Sequence, residues 1–271
     1  VASVGATCEA APTMTTFPLP NTSTDLTGQV ALVTGGTSGL GRRFAEVLAA
    51  AGAAVAPTGR RTDRLDEVRA AIEGRGGRAA PVALDVTDAA ACVEAVARTE
   101  AALGPVTILV NAAGIPDAQR AHKMPLELVD TVFATNVRAP WVLSCEVARR
   151  LIAAGTPGRI VNISSEAAFT YAGNGAALYS TTKAAVNRMT EALAVEWARY
   201  RINVNAIAPG MFSSEMLDGM LERTGDLSQH VPRRRISDPA QLDSTLLFLV
   251  APASEAVTGT VVRVDDGQGS R

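Results

Sequence analysis

The chain has 271 residues, 47% of them hydrophobic and 19% charged, which is enough apolar sequence for a full core and excludes a disordered chain. At roughly 150 residues per domain the length allows two domains, although a single α/β domain often fills about 250. Lys plus Arg number 25 against 27 Asp plus Glu, and the net charge of −2 gives no electrostatic pull toward nucleic acid or a membrane surface, so the expected partner is a small molecule.

Residues 1–26, rich in Thr, Pro, Ala and Ser without periodicity, read as a flexible N-terminal tail with no function assigned to it. They lack a basic region followed by an apolar stretch, and no apolar run reaches the ~18 to 20 residues of a membrane helix, so the cytoplasm is the expected location. Residues 27–271 read as one domain, in which short apolar or β-branched runs at 29–34, 54–58, 80–84, 107–111, 159–164, 203–208 and 260–264 alternate with Ala-rich helical stretches. Runs such as VALV, ILVN and RIVNI are apolar at successive residues, as parallel strands covered on both faces require. The expected fold class is α/β: a single doubly wound parallel sheet of seven strands with helices on both faces. Pro57 has no N–H for a ladder bond and suits an edge strand or a bulge.

The first strand runs directly into Thr34-Gly35-Gly36-Thr37-Ser38-Gly39-Leu40-Gly41 and then into an apolar-periodic helix. Gly35, Gly39 and Gly41, spaced G-x-x-x-G-x-G, let the backbone turn tightly and approach a pyrophosphate at the following helix's N-terminus. A glycine cluster alone also suits a structural turn, but its place after the first strand of a βαβ series favours a dinucleotide. This run resembles the cofactor turn of the short-chain dehydrogenase/reductase family. The resemblance extends over six ordered motifs from about residue 27 to 267. It implies a Rossmann-like fold, cofactor contacts from Gly35, Thr37, Ser38, Gly39, Leu40 and Gly41, and hydride transfer with a nicotinamide cofactor.

Dinucleotide folds place, at the end of the second strand, an acid for the ribose 2′-hydroxyl or an Arg for a 2′-phosphate. Here that end reads Thr58-Gly59-Arg60-Arg61, with glycine at the acid's position and two guanidiniums after it. NADP(H) is therefore the expected cofactor, with Arg60 favoured over Arg61 and NAD(H) left open. A solvated helix start carrying Arg60, Arg61 and Arg64 has the same sequence pattern. Asp85 and Val86 follow the third strand, where the resemblance implies contact with the adenine; Asp85 equally suits a cap on the helix beginning near Asp88. Asn111-Ala112-Ala113-Gly114 resembles the family's Asn-Asn-Ala-Gly with Ala112 in place of the second Asn. Small residues at Ala112 and Gly114 let the cofactor ribose lie near backbone, while Asn111 itself reads as a sheet-stabilising residue.

Asn136 in TNVRAPW matches the family's catalytic Asn, which implies a disturbed helix that holds a water in a proton relay from Lys183; a plain Asn bonded within its helix is the alternative. The fifth strand ends in Ser164-Ser165, and a hydroxyl there can bond a developing alkoxide. Ser165 is favoured, although in many members the matching serine lies one residue nearer the tyrosine, where this chain has Glu166. Tyr179 and Lys183 lie four apart on one helix face. An adjacent ammonium stabilises a phenolate and lowers its pKa from about 10, so the pair can move a proton to or from an alcohol oxygen. The catalytic set implied is Asn136, Ser165, Tyr179 and Lys183, with Tyr179 and Lys183 also contacting the cofactor.

The sixth strand ends in Pro209-Gly210. The resemblance implies that Pro209, Gly210, Met211 and Ser213, or Ser214 in its place, contact the cofactor, and that 211–235 forms a substrate lid. A plain amphipathic surface helix has the same sequence. Phe169, Tyr171 and Trp141 suit either the pocket or the core. The last strand precedes Asp265-Asp266-Gly267, where the family has Asp-Gly-Gly, so the turn at Asp266 is a departure. Cys8, Cys92 and Cys145 read as free thiols, and with His122 and His230 isolated no metal site is expected.

The function expected is an NADP(H)-preferring oxidoreductase acting between a ketone and a secondary alcohol, similar to 3-oxoacyl carrier-protein reductases and sugar or polyol dehydrogenases. The short Tyr-to-Lys spacing argues against the enoyl reductases, and the glycine spacing against the extended epimerase-type members. A nucleotide-sensing or scaffold protein on the same fold is the rival, and an NADH-dependent polyol dehydrogenase a second one. The resemblance implies a homo-oligomer, a tetramer or dimer through the fourth and fifth helices.

Overall fold

The computed structural model describes residues 17–269 apart from 118, 172, 174 and 226. Strands β1 (Val30–Thr34), β2 (Ala54–Gly59), β3 (Arg78–Ala79), β4 (Val82–Ala83), β5 (Ile108–Asn111), β6 (Gly158–Ile163), β7 (Ile202–Pro209) and β8 (Val261–Val264) alternate with helices. The helices are α1 (Gly39–Ala50), α2 (Thr62–Glu73), α3 (Ala89–Leu103), α4 (Leu126–Phe133), α5 (Ala139–Ala154), α6 (Ala177–Trp197), α7 (Glu215–Thr224) and α8 (Asp243–Val250). All strand pairs are parallel, in the order β3-β2-β1-β5-β6-β7-β8 with β4 also on β2. The winding reverses between β1 and β5, which opens a ligand crevice beyond their carboxyl ends.

Side-chain alternation divides the core into two layers. Leu32, Leu109, Ile160 and Val204 pack under α3, α5 and α6, while Val33, Val55, Val110 and Val161 pack under α1, α2 and α8. This is the doubly wound sheet that the apolar runs imply. Cys8 and the rest of 1–16 lie outside the described residues, and Cys92 and Cys145 are free. Among the described residues no helix is long and apolar enough to cross a membrane.

Three sequence expectations need correction. Leu26, placed in the tail, is fully buried, and its N–H donates to Ala51 O at 2.8 Å. The expected strand over 80–84 is instead two short ladders, β3 and β4, interrupted at Ala80-Pro81, because Pro81 has no donor. Pro57 lies one strand in from the edge. Ala54 N and Thr58 O bond toward β1, whereas Val55 O and Gly59 O accept from Ala80 N and Leu84 N on the outer side. Pro57 shares the outward phase and falls at the gap between β3 and β4, so its missing N–H interrupts no ladder bond.

Beyond β7 the chain leaves the sheet and returns. Ser213 N donates to Ser237 O at 3.0 Å and Ser237 N to Met211 O at 2.9 Å, closing the base of the segment that carries α7. Asp266 anchors that base. Its φ of 51° is left-handed, a conformation that suits glycine best and Asn or Asp next, and its carboxylate holds Arg235 Nε at 2.7 Å, Ser237 Oγ at 2.8 Å and Arg233 Nη1 at 3.3 Å. The residue that departs from the family's glycine thus ties the C-terminal turn to the returning chain.

Candidate active site

The carboxyl ends of β1, β5 and β6 and the start of α6 bring the expected site residues together. Alternation separates the two serines after β6. Ser164 is buried, with its N–H on Ile207 O at 2.7 Å and its hydroxyl on Lys183 O at 3.3 Å. Ser165 opens the short turn Glu166–Ala168, accepts from Ala167 N at 3.2 Å, and is hydrogen-bonded to Tyr179. Glu166 turns away to bond Thr170 Oγ1. Ser180 Oγ donates to Ala167 O at 2.6 Å and fastens this turn to α6.

Lys183 is buried, its Nζ donating to Ile163 O at 2.7 Å and lying 5.5 Å from the centre of the Tyr179 ring. Burial pushes this ammonium down to about 8. The sequence leads one to expect a lowered Tyr179 pKa, but here burial raises it, with the Asp117 carboxylate acting in the same direction and the Ser165 hydrogen bond opposing them. The ammonium is drawn to the Ile163 carbonyl, and the phenol stays in the protonated form at neutral pH.

Asn136 lies in a π-helical segment, Ala134–Arg138, between α4 and α5. Its amide clamps one residue of the loop after β5 from both sides, accepting from Ile115 N at 2.9 Å and donating to Ile115 O at 2.9 Å. It also donates to Thr182 Oγ1 at 3.1 Å, and Thr182 bonds Tyr179 O at 2.8 Å. A widened turn and a fixed link to α6 are thus both present. Asn111 donates to Asn162 Oδ1 at 2.8 Å and Ser144 Oγ at 3.2 Å, a sheet-stabilising arrangement.

The glycine turn is built for close approach. A Cβ on Gly41 would stand 2.3 Å from Gly35 O, and one on Gly35 3.0 Å from Ala113 Cα. Ser38 caps α1 without a side-chain bond to the helix amides, unlike Asp88 on α3 and Ser214 on α7. The first amides of α1 therefore face the turn as an anion site does. Asp88, not Asp85, caps α3; Asp85 bonds Thr87 N at 2.9 Å, and Val86 packs partly buried against the core. Arg60, favoured from sequence, is three-quarters exposed and 3.9 Å from Asp85. Arg61 is the guanidinium on the turn, donating to Ser38 Oγ at 2.7 Å and Thr37 Oγ1 at 3.0 Å. Ser213 is exposed, and it is Ser214 that lies against Gly39. Pro209 ends β7, Gly210 N donates to Val264 O at 3.0 Å, and Met211 N donates to Gln268 Oε1 at 3.1 Å. Phe169, Tyr171 and Trp141 are all exposed to a similar degree and outside the core.

A protein-family model described as short chain dehydrogenase matches residues 29–224. The chain belongs to the short-chain dehydrogenase family. The chain is 36% identical over 245 residues to gluconate 5-dehydrogenase of Gluconobacter oxydans, a match spanning 89% of this chain and 95% of that one. It is 37% identical over 246 residues to the L-tagatose-forming galactitol 2-dehydrogenase of Cereibacter sphaeroides, again spanning 89% and 95%. A crystal structure of a candidate NAD(P)-dependent gluconate 5-dehydrogenase from Beutenbergia cavernae, with NADP bound at low occupancy, matches with a TM-score of 0.84 at 36% identity, covering 91% of this chain and 99% of that one.

Three further residues of the candidate site have no role assigned from the sequence. Asp117 is buried, and its Oδ2 accepts from Leu178 N at 2.9 Å and Tyr179 N at 3.2 Å, which fixes the start of α6. Thr34 Oγ1 accepts from Ala112 N at 3.0 Å and Ala113 N at 3.1 Å, locking β1 to the loop after β5. Glu215 bonds Arg61. Nothing local marks Asp117 or Glu215 in sequence, whereas Thr34, as the last residue of a strand before the glycine turn, was open to detection.

Proposed function

We propose that the protein interconverts a secondary alcohol and a ketone with a nicotinamide cofactor, NADP(H) in preference to NAD(H), on polyhydroxylated substrates of the sugar, polyol or sugar-acid kind. One observation carries this reading: the Tyr179 phenol, hydrogen-bonded to Ser165, stands one helical turn from the buried Lys183 ammonium at the carboxyl ends of the sheet. The residues fit the cofactor. Gly35 and Gly41 leave no room for side chains, the first amides of α1 suit a pyrophosphate, and Gly114 keeps the space above Lys183 open, since a Cβ there would lie 3.4 Å from Nζ. Arg61, rather than Arg60, is proposed for the 2′-phosphate, and the substrate class is supported by the names of the two relatives above.

Bound nicotinamide would supply or accept the hydride. In reduction Tyr179 donates a proton to the carbonyl oxygen and Ser165 hydrogen-bonds the same oxygen; in oxidation Tyr179 takes the proton back. Lys183, with one proton on Ile163 O, offers the others to the cofactor ribose. Asn136 positions both α6 and the loop that carries Gly114. Leu126, Phe133 and Trp141, exposed on α4 and α5, support association into a homo-oligomer, a dimer or tetramer, through these helices.

Following absorbance of NADPH and of NADH with keto-sugars, keto-acids of sugars, diketones and β-ketoesters tests the reading. The expected result is faster NADPH oxidation on the polyhydroxylated ketones, and activity confined to β-ketoesters would overturn the substrate class. Reduction should hold its kcat/KM below pH about 8 and decline above it, because Lys183 loses its charge as pH rises through its lowered pKa. A profile flat to pH 10 would remove the charged Lys183 from the mechanism. Gly41→Ala forces the turn apart at a cost of about 1–3 kcal/mol, so NADPH binding, read by fluorescence titration, should weaken roughly five- to 150-fold.

A further inference from the structure

Glu215 opens α7, whose cap Ser214 lies against the cofactor turn: a Cβ on Gly39 would stand 3.3 Å from that of Ser214. From there the Glu215 carboxylate reaches Arg61 with both oxygens, at 3.3 Å from Nη1 and 3.1 Å from Nη2, and it is hydrogen-bonded to Ser38. Arg64 adds positive charge nearby. A guanidinium fork beside a hydroxyl is the donor set that a phosphate monoester takes, and here an anion of the chain's own already fills it. The strand end that would ordinarily carry an acid is Gly59, where a Cβ would stand 2.6 Å from Thr37 Cγ2. An acid at that position would require Thr37 to move.

We propose that Glu215 limits the preference for NADP(H) by seating its carboxylate on Arg61 and Ser38, where the 2′-phosphate of NADP(H) has to displace it and the 2′-hydroxyl of NAD(H) donates to it. The inference rests on the reading of Arg61 as the 2′-phosphate ligand. Glu215 is then the acid that β2 lacks, delivered from α7. A phosphate monoester and a carboxylate repel on one face of Arg61, so arrival of the phosphate unfastens the first turn of α7 from the cofactor turn, whereas NAD(H) leaves it fastened. The ion pair is half-exposed on both sides, which makes the effect several-fold rather than many orders of magnitude.

Calorimetry with adenosine 2′,5′-bisphosphate and with adenosine 5′-monophosphate tests this without turnover. Glu215→Gln removes the charge and keeps the size. It should bind the bisphosphate about three- to tenfold more tightly than the wild type, with no tightening toward the monophosphate. In an Arg61→Ala background the same substitution should have a clearly smaller effect on bisphosphate binding, because Arg61 no longer holds the carboxylate in the phosphate's place. Unchanged affinities in Glu215→Gln, with Arg61→Ala still weakening the bisphosphate, would overturn the role of Glu215 and leave the NADP(H) reading standing. Full bisphosphate affinity in Arg61→Ala would overturn both.

Discussion

Tyr179→Phe should lower kcat/KM for ketone reduction by about a thousandfold or more, within the range expected when a general acid is removed. The ring stays, so α6 and the core beneath it keep their packing; what is lost is the proton and the hydrogen bond with Ser165. NADPH affinity and thermal melting should move little, which separates the chemistry from the fold. Burial and the Asp117 carboxylate hold the phenol protonated at neutral pH, so in reduction Tyr179 starts in the form that donates. Retention of more than about a tenth of the wild-type rate would place the proton donor elsewhere.

Asn136→Ala should act on stability and rate together. The truncation leaves Ile115 N and Ile115 O without their partner and cuts the bond to Thr182. Unpaired backbone groups in a part-buried loop cost about 1–3 kcal/mol each at most, so a loss of roughly 2–4 kcal/mol is expected. Scanning calorimetry should register a fall in Tm of roughly 5–15 °C. Because Thr182 bonds the Tyr179 carbonyl, misplacement of α6 should also lower kcat, by up to about a hundredfold. Asn136→Asp provides the comparison: it keeps an acceptor for Ile115 N but offers no donor to Ile115 O or Thr182. A melting point unchanged in both variants would show that the Ile115 clamp is not what holds this loop.

The sheet was legible because its central strands are apolar at consecutive positions, a pattern that follows from burial on both faces. The edge was not. Whether 80–84 forms one strand or two depends on how Pro81 and Pro57 face each other across the ladder, which is a property of register rather than of either residue. That Ser165 rather than Glu166 lies beside Tyr179 agrees with the expectation drawn from the sequence, in which a carboxylate would add charge where a hydroxyl would not. The separation of Ser165 from Ser164 follows from strand alternation. The choice between Arg60 and Arg61 was not legible: adjacent side chains diverge with the backbone, and Arg61, at the extended position before α2, is the one turned onto Thr37 and Ser38. Glu215 and Asp117 lie far in sequence from the groups they bond, so only the fold brings them into the site. Asp266 was legible as a departure from the glycine pattern, but its use as an anchor depends on Arg233, Arg235 and Ser237 reaching it.

Deuterium transfer tests the central claim most directly. NADPH with both nicotinamide C4 hydrogens replaced by deuterium is incubated with each ketone of the rate panel, and the products are read by mass spectrometry. The account predicts one deuterium on the carbinol carbon with the wild type and none above background with Tyr179→Phe. NADPH that binds in titration while no label reaches any carbonyl carbon would contradict it, and would identify the protein as a nucleotide sensor on a dehydrogenase fold.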